Sequence, residues 1–327
     1  MIVDMPNTTI SKVSKRMVTL REQGGAVALG RVLTLVIETD LKGIEEAIRA
    51  ANEASREHPS RVIVLADDNG KSKKDARLDA QIRIGGDAGA SEVIVLRAYG
   101  EAASDAESLV TGLLLPDAPV VAWWPALAPD NAAKSEVGRI ATRRITDAAA
   151  QKDPHEHLRK LAKTYTPGDS DFAWTRLTLW RAQLATILDQ PPFDSVTAVE
   201  VTGAVDSPST DLLAAWLELK LKVPVTMIRK ARGRAVHGIH AVKLLRKSGN
   251  IEIIRQNAEV ATIVQPGQPD REITLPRRNL RDCLSEDLRR LDSDVVFGQV
   301  ITSCFGAKVA RPTVTKGKGT LRTSAKI

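Results

Sequence analysis

The chain has 327 residues and 35.4 kDa, 43% apolar and 27% charged, which suits a globular protein with two cores and excludes a wholly disordered chain. Its formal charge of +7 is almost all terminal: Lys308, Arg311, Lys316, Lys318, Arg322 and Lys326 stand in residues 307–327 without an acid, leaving 41 basic and 40 acidic residues before them. A near-neutral body offers no broad basic face for nucleic acid, and no apolar run approaches the roughly 20 residues of a membrane span.

Residues 1–30 are polar, with Lys12, Lys15, Arg16 and Arg21 along a weakly amphipathic run that ends at Gly24 and Gly25, and read as an N-terminal arm or short helix. The run 31–38 (RVLTLVIE) predicts a strand, after which Thr39 or Asp40 caps a helix over about 42–57. A second apolar strand at 61–66, a polar loop at 67–75 and an alternating strand at 77–84 follow. Gly85 and Gly86 lead into a strand at 92–97, Ser104 caps a helix to about 115, and 118–124 (APVVAWW) returns as a strand. Strand, crossover helix and strand predict parallel pairing of the two. Trp123 and Trp124 end the second one, where open α/β sheets carry their working surface, and adjacent strand residues face opposite ways.

From 130 to 165 the pattern is helical, with a short strand near 144–146 and a helix opened by Asp153 and Pro154. The best-marked stretch is 169–189 (DSDFAWTRLTLWRAQLATILD), read as one helix capped by Asp169, Ser170 and Asp171. At about 100° per residue, Ile187, Trp180, Ala173, Leu184, Leu177, Leu188, Trp174 and Ala185 share one apolar arc. Arg176 falls at the margin of that arc and Arg181 within it, which favours an internal ion pair for Arg181 and an interface role for Arg176.

A second α/β region follows: strand 196–202, helix 209–222 and strand 225–228. Runs at 237–245, 251–255, 260–264 and 271–275, punctuated by turns at Ser248, Gly249 and Asn250 and at Pro266 and Gly267, predict antiparallel hairpins. Asn279 or Asp282 starts a helix to about 291, and 292–301 forms another. The expected fold is mixed α/β and α+β, with two domains, each a mixed sheet with packed helices, joined around the central Trp/Arg-rich helix. The expected boundaries are 1–30 for the arm, 31–166 for an N-terminal α/β domain, 167–306 for a C-terminal α/β domain opening with that helix, and 307–327 for a disordered basic tail.

No catalytic signature emerges. Asn69, Gly70, Lys71 and Ser72 follow a strand, yet a phosphate-binding loop needs a glycine where Leu65 stands, and no GxGxxG occurs. His155 and His157, and His237 and His240, lack metal-ligand spacing, so neither metal nor cofactor is called for. Cys283 and Cys304 match no CxxC pattern and read as free thiols of a cytoplasmic protein. The cluster Arg229, Lys230, Arg232 and Arg234 (RKARGR) is either an anion-binding site or a solvated turn.

Three stretches, 117–125 (DAPVVAWWP), 143–148 (RRITDA) and above all 169–189, resemble the bacterial glucose-6-phosphate dehydrogenase assembly protein family, OpcA, with order and spacing matched from about 30 to 303. The resemblance implies a non-catalytic assembly factor and allosteric activator. Such a protein binds glucose-6-phosphate dehydrogenase and promotes its active oligomer in the oxidative pentose phosphate pathway. Trp123, Trp124, Trp174, Arg176, Trp180 and Arg181 are the candidate partner-binding residues, since Trp and Arg dominate interface hot spots. Two other classes stay open: a sugar-phosphate- or nucleotide-binding enzyme or sensor using the 229–234 loop, and a nucleic-acid binder acting through the tail.

Overall fold

Three apolar runs set the first sheet: β2 (Leu33–Asp40), β3 (Ser60–Asp67) and β5 (Glu92–Tyr99) are buried along both faces, as the near-continuous Val, Ile and Leu of parallel strands requires. In the computed structural model, which describes residues 1–23, 31–67, 76–85, 92–191, 193–230 and 238–305, they lie at the heart of an eight-stranded sheet. The remaining strands of this sheet are β1 (Ile2–Met5), β4 (Arg77–Arg83), β6 (Val120–Trp123), β7 (Arg143–Thr146) and β8 (Asp169–Asp171), in the order β1-β4-β5-β3-β2-β6-β7-β8. The glycine-lysine loop at 69–72, Arg232, Arg234 and the tail at 307–327 are outside the described residues.

The two faces of the sheet carry separate cores. Leu35, Ile37, Val62, Val64, Val93, Val95 and Trp123 pack with α2 (Ile44–Ala54) and with α9 (Leu280–Arg289). Val36, Ile63, Ile94, Leu96, Ala122 and Trp124 pack with α1 (Ile10–Gln23), α3 (Ala106–Thr111) and α4 (Glu136–Ile140). Trp123 and Trp124 thus face opposite sides, as the pleat demands. α5 (Pro154–Thr164) and α10 (Val295–Phe305) also belong to this unit, where Tyr165 meets Phe297 edge-on, with ring centroids 6.0 Å apart.

Several expectations are corrected. Of the two readings of the N-terminal stretch, arm or short helix, α1 is the helix, and it is no loose arm: β1 pairs antiparallel with β4, and Val13, Met17 and Leu20 of α1 are core residues. β5 and β6 are parallel members of one sheet without being neighbours, β5 pairing with β3 and β6 with β2. Asp105, rather than Ser104, caps α3. The stretch 169–189 is not one helix. Asp169, Ser170 and Asp171 pair with Arg144, Ile145 and Thr146 as β8, Asp171 caps the short α6 (Phe172–Thr175), and α7 (Thr178–Leu188) begins afresh. Backbone partners offered by β7 outcompete a first helical turn.

By compactness the described chain forms two units, the first of Met1–Arg176 with Arg278–Gly306 and the second of Leu177–Arg277. The last two helices therefore fall in the first unit, although the sequence suggested the second domain for them. The second unit holds α7 and a six-stranded sheet with α8 (Pro208–Leu221) packed on it. Its strands β9 (Val196–Ala204), β10 (Val225–Lys230), β11 (Ile239–Arg246), β12 (Ile251–Arg255), β13 (Val260–Val264) and β14 (Arg271–Thr274) lie in the order β10-β9-β11-β12-β13-β14. Only β9 and β10 are parallel, and the hairpins after them are antiparallel as their turns indicate. α8 sits close on β9: a Cβ on Gly203 would come within 2.2 Å of the Thr210 hydroxyl.

Candidate functional site

Numbered along the chain, the six parallel strands of the first sheet, β2, β3, β5, β6, β7 and β8, lie 3-2-1-4-5-6, the order of dinucleotide-binding sheets. The order reverses at β2, between β3 and β6. A crevice of about 310 Å³ opens at the carboxyl ends there, lined by Glu38, Thr39, Asp40, Leu65, Trp124 and Leu127 among others. Position alone makes it the place to look for a ligand.

The turn that leaves β2 does not suit a pyrophosphate. A dinucleotide needs glycines for close backbone approach and a helix N-terminus with free N–H groups. Here the Asp40 carboxylate already accepts from the backbone N–H of Gly43 at 2.8 Å and of Lys42 at 3.1 Å. Thr39 packs against the same turn, for a Cβ on Gly43 would lie 2.3 Å from its hydroxyl. Glu45 and Glu46 add two more acids to the first turn of α2. Glu38 in turn accepts the indole N–H of Trp124. An incoming phosphate would meet negative charge where dinucleotide-binding proteins present bare N–H groups. The residues present do not fit the cofactor that the strand order suggests.

The second notable constellation is a buried polar network at the ends of β7 and β8. Asp171, fully buried, accepts from the Thr146 hydroxyl at 2.6 Å, from the Ala148 N–H at 3.0 Å and from the Ala173 N–H at 2.8 Å, and it pairs with His157 Nε2 at 3.5 Å. Burial works to raise this carboxyl, but the His157 contact and the hydrogen bonds hold it below the ordinary range. Asp287 accepts from Arg143, from Ser170 at 2.8 Å and from Thr175 at 2.6 Å. Arg144 bonds Asp169, whose carboxyl burial nonetheless raises. Every polar side chain of the 169–176 stretch is engaged within the first unit.

Two family profiles match the sequence, both describing a glucose-6-phosphate dehydrogenase subunit: its N-terminal domain matches over residues 51–163 and its C-terminal domain over residues 167–301. The chain belongs to the OpcA family. No curated protein matches it. Among solved structures, an oxidoreductase from Sinorhizobium meliloti superposes with a TM-score of 0.47 at 10% identity, covering 84% of this chain and 95% of that one. Glucose-6-phosphate 1-dehydrogenase from Mycobacterium avium superposes with a TM-score of 0.41 at 10% identity, covering 83% and 90%. Likenesses this distant have no bearing on the chemistry of an OpcA-family chain.

The residues singled out from sequence are placed as follows. Trp123, Trp124, Trp174 and Trp180 are all buried, at 0 to 3% exposure. Trp174 packs on Phe297 and donates its indole N–H to Asp294 at 2.8 Å. Arg176 forms a two-bond pair with Asp147, the internal role expected for Arg181, while Arg181 donates to Thr178 at 3.2 Å. Arg229 is taken up by Asp211, and Lys230 stands exposed at the end of β10. Sequence reasoning named Asp40 only as a cap and gave Glu38 and Asp287 no role, because a single carboxylate carries no signal until its neighbours are known. Arg255 and Arg277 were missed for the same reason.

Proposed function

We propose that this OpcA-family protein is a non-catalytic subunit that associates with glucose-6-phosphate dehydrogenase in the cytoplasm, promotes its active oligomer and activates it allosterically. The family membership supports the partner. The observation that carries the non-catalytic part is the Asp40 carboxylate seated on the Lys42 and Gly43 N–H groups, where a nicotinamide dinucleotide would need its phosphates. A sheet with dehydrogenase strand order whose β2–α2 turn carries an acid in place of a glycine fingerprint supports a partner role over dinucleotide chemistry.

The test is to mix the purified chain with the dehydrogenase over a range of ratios, following activity and the mass of the complex. The chain alone should neither bind NADP⁺ nor oxidise glucose 6-phosphate. The mixture should gain activity and mass, and both gains should saturate, because an activator shifts a population only by its differential affinity. Turnover by the chain alone, or no change in the dehydrogenase at any ratio, would overturn the reading.

A further inference from the structure

One end of the second unit's sheet gathers basic side chains. Lys230 ends β10, His240 lies on β11, Arg255 ends β12 and Arg277 follows β14. Arg255 is 5% exposed and lies over the Trp180 ring, 5.4 Å from its centroid. Its Nη1 donates to the carbonyls of Leu275 at 2.5 Å and Ala258 at 3.2 Å, while its Nε is buried with no hydrogen-bond partner among the described residues. Arg277 reaches across to Gly238, where a Cβ would come within 3.1 Å of its Nη1 and where φ of +69° favours glycine. Among the described residues no carboxylate pairs with Lys230, Arg255 or Arg277.

We propose that Lys230, His240, Arg255 and Arg277 form a binding site for the phosphoryl dianion of a small phosphorylated metabolite. A buried guanidinium without a carboxylate is costly, and a fold that keeps Arg255 in that state, with the half-buried Arg277, an ammonium and an imidazole near it, has left the counter-charge to a ligand. Guanidinium forks suit phosphate oxygens, and a dianion offsets such a cluster better than a single carboxylate. The electrostatics agree with the geometry. Burial and the neighbouring Arg277 bring Arg255 down to about 10, burial lowers Arg277, and burial together with Lys230, Arg277 and Arg255 lowers His240. No carboxylate among the described residues acts on His240 in return, so an arriving dianion should raise its titration midpoint. The site differs from the 229–234 loop expected from sequence, because Arg229 is committed to Asp211 and only Lys230 is shared. It does not depend on the assembly reading, and its test needs no dehydrogenase.

The full chain, labelled at histidine, is titrated by NMR at constant ionic strength with inorganic phosphate, glucose 6-phosphate, AMP, acetate and a glutamate-rich peptide. A saturable rise in the His240 midpoint with the phosphate compounds supports the site. Tighter binding of glucose 6-phosphate than of AMP assigns a sugar phosphate, and the reverse order assigns a nucleotide. Arg277→Gln, at a position whose side chain makes no hydrogen bond to the described residues, should weaken binding about tenfold or more while melting like the parent. Lys230→Gln, at an exposed position, serves as the second variant and should weaken it in the same direction. The proposal falls if acetate moves His240 as far as phosphate does, or if only the peptide moves it. It falls equally if no phosphate compound acts up to about 10 mM, or if both variants bind phosphate like the parent.

Discussion

Arg176 and Asp147 face each other through two parallel hydrogen bonds, Nη1 to Oδ1 and Nη2 to Oδ2, each 2.7 Å long. The pair ties the end of α6 to the turn after β7, and Asp147 is almost wholly buried there. Burial works to lower the guanidinium, yet the paired carboxylate outweighs it and raises Arg176 above its ordinary value. Arg176→Ala should therefore cost roughly 3 to 5 kcal/mol, mostly through the carboxylate left behind. Arg176→Lys should recover only part of that, because a single ammonium cannot make both bonds. Thermal melting of the two variants is the measurement, and an alanine variant that melts like the parent would refute the tie.

Asp171 sets an acid limit on the first unit. Its folded pKa is lowered, so its contribution is present above the unfolded carboxylate value of about 3.9 and is lost as pH falls below that toward the folded value. Asp169, raised by burial, has the opposite sign and favours the fold below that value. Melting temperature followed from pH 6 down to about pH 2.5 should fall steeply below about pH 4. Asp171→Asn should start lower and follow a flatter acid limb. Parallel limbs for the two proteins would place the titrating group elsewhere.

The two thiols should differ in reactivity. Cys283 is buried in the core against α2, and burial pushes its thiol up to about 12, which leaves almost no thiolate at neutral pH. Cys304, near the end of α10, is part-exposed. A thiol reagent should modify one group in the native protein and two once it is unfolded, with mass mapping placing the first at Cys304. Native labelling of Cys283 would mean that α9 opens readily.

The basic residues after 306 carry six of the chain's excess positive charges but few apolar side chains. Removing 307–327 should leave the melting temperature within about 1 °C of the full chain and leave the effect on the dehydrogenase intact. A large drop in either would show that this segment docks on the protein or on its partner.

Sequence alone determined the parts of this protein that are written locally. The runs at 33–37, 62–66 and 93–96 declare buried parallel strands because both of their faces are apolar. Asp153 followed by Pro154 declares a helix start, and the Asp153 carboxylate does accept the Glu156 N–H. The tryptophan-rich motif at 169–181 identified the family. Only the tertiary structure decided that Asp169 to Asp171 form an edge strand, because β7 supplies backbone partners from some 25 positions away. It alone decided that Asp287 would meet Arg143, Ser170 and Thr175, and that Lys230, Arg255 and Arg277, from β10 to just beyond β14, would come near His240. Periodicity and caps are set by neighbours in sequence. Strand order and charge partners are set by which distant segments pack together, and a carboxylate or a guanidinium has no recognisable role until that packing has chosen what stands beside it.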